Sequence, residues 1–171
     1  MSVNPDAEKK GGNWLSRIFF INNTSAPNDV FKGSEMRKLI DTSETIIQAW
    51  KYKQKLVWFQ ITSFFLYHAF VIFETKDWYW SIEKNGSGIW IQKSKSKNEL
   101  VTKNGGNERN STTLLDSEFG NFITIGELIE WVENNELINR YFYIETYFNC
   151  QGFADRAYQH IIENKKNLNC Y

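Results

Sequence analysis

The stretch from Tyr67 to Lys93 limits the fold of this chain more than any other, because it reads as strand, turn, strand, turn, strand. Residues 67–74 (YHAFVIFE) are rich in aromatic and β-branched side chains, as a buried strand requires. Thr75-Lys76-Asp77 forms a turn, and residues 78–84 read as the next strand. Asn85-Gly86-Ser87-Gly88 is a strong hairpin signal, and residues 89–93 supply another strand. Residues 56–64 have the same character and come before them. The expectation is an antiparallel meander. Apolar residues occupy both faces from His68 to Phe73, so that strand should be central.

The flanks carry helical signals. Thr124-Ile125-Gly126-Glu127 fits a capping box, with Thr124 as N-cap and Glu127 reaching back. That helix runs through Leu128, Ile129, Trp131 and Val132 to a stop at Asn134-Asn135. A second helix opens at Asn149-Cys150, with Phe153, Ala154, Ala157, Tyr158 and Ile161 as its apolar face. Met36, Leu39 and Ile40 suggest a helix after Ser34, and Ile46, Ile47 and Trp50 another over 43–51. Residues 14–21 read as a short strand or helix, 22–33 as a loop, and 140–148 as irregular or extended. Residues 94–121 are rich in Lys, Ser, Asn and Gly, and predict long mobile loops around a short strand near 100–102. With a disordered tail over 1–13, the chain predicts one α+β domain over 14–171, a meander packed on helices.

Composition removes several function classes. Twenty basic residues balance twenty acidic ones, so no basic field invites nucleic acid. The longest apolar stretch, 56–73, is broken by Gln60, Thr62, Ser63 and His68, which favours buried strands over a membrane span. The polar start of the chain lacks the apolar core of a signal peptide. Two cysteines are too few for a secreted disulfide scaffold. The expectation is a cytoplasmic protein with reduced thiols. Two histidines and two cysteines have no zinc spacing, and Asn85-Gly86-Ser87-Gly88 lacks the Lys and following helix of a phosphate loop. No metal or organic cofactor is therefore expected.

Cys150 and His68 are the residues with chemistry to offer. A cysteine nucleophile needs a lowered pKa, a base, and donors for an oxyanion. Cys150 opens a helix behind a good N-cap, Asn149, where free N–H groups and the helix dipole favour thiolate. His160 lies ten residues further along the same helix, roughly 15 Å away along its axis. That leaves His68 as the base. On the strand over 78–84, Ser81 and Glu83 share one face. Either one is a candidate to orient the imidazole, and a carboxylate is chemically the better. Gln151 and Asn149 are candidates to hold an oxyanion or substrate.

The same residues fit a blander reading, a small core cysteine and a hydrogen-bonded core histidine. The chain would then be a non-catalytic module on the same fold. Its aromatic surplus, 7 Trp, 8 Tyr and 13 Phe, would line a peptide or lipid groove. The aromatics of 56–67 also allow peripheral membrane contact.

The tract NCQGFA at 149–154 resembles the NCxxF motif of the lecithin:retinol acyltransferase-like proteins, in the circularly permuted branch of the NlpC-type, papain-like superfamily. There the histidine strand precedes the nucleophile helix, as His68 in HAFVIFET precedes Cys150 here. The family places a second polar group one strand after the histidine. Ser81 matches that position, with Glu83 two residues on. The likeness covers roughly 67–162. It implies a sheet packed on the nucleophile helix and acyl chemistry through a Cys thioester, acting on an acyl, peptide or lipid substrate. Two departures stand out. No second histidine is available for the family's frequent third residue. The chain also ends in NKKNLNCY, where membrane-anchored members carry an apolar helix. Peptidase, amidase and deamidase chemistry stay open beside acyl transfer.

Overall fold

A computed structural model describes residues 18–22, 30–55, 67–134 and 149–165. The expectations for 1–17, 56–64 and 140–148 lie outside these residues. In chain order the elements begin with β1 (Ile18–Ile21), β2 (Val30–Lys32), α1 (Gly33–Met36) and β3 (Gln48–Lys55). Next come β4 (Tyr67–Glu74), β5 (Tyr79–Asn85), β6 (Gly88–Ser94) and α2 (Lys97–Thr102). The last are β7 (Lys103–Asn104), β8 (Asn107–Glu108), β9 (Thr112–Phe119), α3 (Ile125–Asn134) and α4 (Cys150–Glu163).

Seven of the strands form one sheet in the order β2-β1-β6-β5-β4-β3-β9. The meander forms as its turns dictate. Phe73 pairs with Trp80 across the first hairpin. Asn85 pairs with Gly88 across the second, where Asn85 Oδ1 accepts from the Ser87 N–H at 3.0 Å. β4 is an interior strand, flanked by β3 and β5. The sheet is not purely antiparallel, however. β1 adds to β6 in parallel, giving a mixed sheet in an α+β fold.

Four further expectations are corrected. The helix expected over 43–51 is replaced by β3, which pairs with β4 on one side and β9 on the other. Its period-2 signal, Trp50-Lys51-Tyr52-Lys53, competes with the helical spacing of Ile46, Ile47 and Trp50, and pairing on both edges decides the outcome. The loop over 22–33 contains β2, an edge strand against β1. Residues 94–121 are largely ordered as α2, the β7–β8 hairpin and β9. β9 is an exposed edge strand, whose Asp116 and Glu118 are charges common on such edges, beside the exposed Leu114, Leu115 and Phe119. After Ser34 the helix lasts one turn. Met36 is buried, while Leu39 faces solvent.

The sheet has a core on each face. Ala69, Val71, Phe73, Trp80 and Ile82 meet Leu128, Ile129 and Val132 of α3 and Phe153, Ala157 and Ile161 of α4. Trp50, Tyr52, Phe70 and Ile72 point the other way and are covered by Leu100 of α2. Burying a side chain such as Phe153 or Ile161 contributes about 1.5–3 kcal/mol, so the apolar face of α4 fixes that helix firmly against the sheet. At the start of α3 the Thr124 N–H donates to Glu127 Oε2 at 2.6 Å, and the Glu127 N–H donates to Thr124 Oγ1 at 3.2 Å. This is the capping box read from the sequence. Among the described residues no helix is long and apolar enough to cross a membrane.

Candidate active site

The site begins at the N-terminus of α4. Asn149 is extended, with φ −84° and ψ −175°, and its Oδ1 accepts from the Gln151 N–H at 2.9 Å and the Gly152 N–H at 3.1 Å. Asn149 is thus the N-cap, and Cys150 is the first residue of the helix.

The sheet presents an open edge to that helix end. The β4–β5 ladder stops at Phe70↔Glu83, whereas β4 continues along β3 to Lys55↔Tyr67. Tyr67 and Ala69, two residues apart, direct their backbone groups to the same edge. The helix terminus occupies it. Gln151 Nε2 donates to the Tyr67 carbonyl at 3.0 Å, and Cys150 Sγ lies 3.7 Å from the same oxygen. The Ala69 N–H donates to Cys150. The end of a β-ladder therefore seats the thiol.

His68, between Tyr67 and Ala69, turns to the α2 side of the sheet beside Phe70, ring centroids 6.5 Å apart. Its Nε2 lies 2.6 Å from Glu83 Oε2. The imidazole also interacts with the Cys150 thiol, which raises the ring's pKa and lowers that of the thiol. Cys150, His68 and Glu83 form one continuous chain of contacts. Ser81 stands apart. It pairs with Ile72, four residues beyond His68, roughly 13 Å along the strand, and its hydroxyl accepts from Gln92 Nε2 at 3.3 Å. Of the two residues left open by the sequence, Glu83 is the one in contact with the imidazole.

Glu83 is completely buried, and both of its oxygens are saturated. Oε2 accepts from Arg109 Nη1 at 3.1 Å as well as from His68. Oε1 accepts from Arg109 Nη2 at 2.5 Å and from Gln92 Nε2 at 3.2 Å. Sequence reasoning missed Arg109 and Gln92. Arg109 sits in the stretch expected to be solvated loop, and no motif marks it. The available clue was physical. A carboxylate on a buried strand needs a cation, and His68 alone is a weak one.

Electrostatics make a coupled system of these groups. Burial pushes the Glu83 carboxyl upward, but the Arg109 charge and the His68 contacts outweigh it and hold the group down at about 2. Burial alone would depress His68, yet hydrogen bonds to Cys150 and Glu83 and their negative charge raise it to about 9. Burial raises the Cys150 thiol, while His68 and the Ala69 and Gln151 N–H groups lower it, and the net shift is below its ordinary value. Both shifts favour thiolate beside imidazolium.

His160 belongs elsewhere. It stacks on Trp131 at 4.8 Å, in the last turn of α4. Among the described residues no cluster of three or more His, Cys, Asp or Glu is arranged to hold a metal ion. Cys170 lies outside the described residues. Comparison of the chain with protein-family models, curated proteins and solved structures found no match.

Proposed function

We propose that this protein is a cysteine-dependent hydrolase or acyltransferase acting on an acyl ester or amide, of the permuted papain-like class and similar to the lecithin:retinol acyltransferase-like proteins. The observation that carries this reading is the unbroken Cys150–His68–Glu83 contact chain with its thiol at a capped helix N-terminus. In the mechanism, the Cys150 thiolate attacks the carbonyl carbon and forms the Sγ–C bond. Negative charge moves onto the carbonyl oxygen. Asn149 has taken up the Gln151 and Gly152 N–H groups, so the Cys150 N–H, beside the Gln151 side chain, is the donor for that oxyanion. His68 passes a ring proton to the leaving oxygen or nitrogen as the old bond breaks, leaving a thioester. Water or an acceptor alcohol or amine then gives the imidazole a proton and attacks the thioester. Thiolate and imidazolium return together. Glu83 holds the ring throughout, as the carboxylate of a Ser-His-Asp triad does.

Incubation with activated esters and amides, followed by peptide mass spectrometry, tests the reading. An acyl group on Cys150, absent in Cys150→Ser and slow to appear in His68→Ala, is the expected result. A Cys150 that stays unmodified across the panel while the protein is folded would sink it. One observation favours the second reading, a peptide- or lipid-binding module: Cys150 is only 7 % exposed. Tight binding of a peptide or lipid with no covalent adduct is the result that module predicts.

A further inference from the structure

Arg109 follows β8 in a stretch whose composition suggests solvated loop, yet its side chain is 1 % exposed. It is held on every side. Nε donates to the Leu100 and Lys103 carbonyls at 3.2 and 3.1 Å, and the guanidinium lies 3.9 Å over the Phe70 ring. Nη1 also reaches Gln54 Oε1 at 3.3 Å, on the strand opposite His68. The hairpin that delivers Arg109 is itself pinned, since Gln92 bonds both Asn104 Oδ1 and the Gly105 N–H. All of this order converges on a two-pronged grip of Glu83, whose other contacts are the Gln92 amide and the imidazole. A surface loop has no use for a buried guanidinium. A catalytic carboxylate that must stay ionised inside a sheet does.

We propose that Arg109 is a positioning residue that sets the reactivity of the Cys150 thiol by holding Glu83 ionised and aimed at His68. The inference rests on the thiol-enzyme reading above. Two effects oppose each other. The positive charge of Arg109 disfavours imidazolium, but it acts across Glu83. The ionised acceptor it maintains acts at 2.6 Å, so the second effect wins. Among the described residues Lys84 also interacts with the thiol, with Arg156 acting on Lys84 in turn, and neither is altered by substitution at Arg109.

The experiment is the pH profile of Cys150 alkylation by iodoacetamide, in a Cys170→Ser background. Arg109→Met should move the acid limb up by about one pH unit, a roughly tenfold loss of rate near pH 6. Arg109→Lys, which keeps charge without the fork, should lie between it and the parent. In a Glu83→Gln background Arg109→Met should cause no further shift. A folded Arg109→Met protein with the parent's limb would overturn the inference, as would an equal shift in the Glu83→Gln background. Should Arg109→Met fail to fold, Arg109→Lys decides: a raised limb supports the inference and an unmoved one overturns it. A parent limb that is depressed and sensitive to His68→Ala, but indifferent to Arg109, sinks this inference alone. A parent limb at the ordinary thiol value sinks both.

Discussion

Glu83 lies diagonally across the β4–β5 ladder from His68, and Glu83 Oε2 meets His68 Nε2 at 2.6 Å. The residue directly opposite Glu83 is Phe70, so the contact depends on β4 running two residues past the end of the ladder. Glu83→Gln preserves shape and removes charge. It should slow Cys150 alkylation near pH 6 by about tenfold or more, measured as the rate for the folded protein.

The same carboxylate carries a structural load. Breaking a buried ion pair by removing one partner costs about 3–5 kcal/mol, because the other charge stays behind. Urea unfolding of Glu83→Leu should show a loss of that size, with Arg109 left buried. The Glu83→Leu/Arg109→Met double variant should recover much of it. A double variant as unstable as the sum of the single ones would mean that the two groups are not coupled.

Acid should find this pair first. The Glu83 pKa falls from 4.5 to about 2 on folding. Its contribution to stability is therefore fully present above pH 4.5 and is lost as pH falls from 4.5 toward 2. Urea midpoints measured through this window should drop less steeply in Glu83→Gln than in the parent. Parallel slopes would contradict the assignment.

The cap at the start of α4 is testable apart from the chemistry. Asn149→Ala removes the acceptor for two helix N–H groups and should cost about 1 kcal/mol in urea unfolding. Thr124→Ala, at the capping box of α3, should cost a similar amount while leaving Cys150 alkylation unchanged.

The sequence made the meander, α3, α4 and its buried face legible, because short turns, capping residues and periodic apolar positions are local signals. Cys150 at a helix start and His68 on an interior strand came from the same signals. The register that separates Glu83 from Ser81 did not. It depends on where β5 leaves β4, which no local pattern records. β3 and β9 were misread for a related reason: their strand character comes from pairing with each other. Arg109 was hidden because polar composition looks the same whether a segment is solvated or folded back over a buried charge.

The most direct test of a coupled Cys150–His68 pair is the pH dependence of Cys150 alkylation in Cys170→Ser protein, with and without His68→Ala. A thiol that titrates well below its ordinary value of 9.0, and moves up when His68 is removed, is the result this account predicts. A thiol that titrates at or above that value, indifferent to His68, would contradict it.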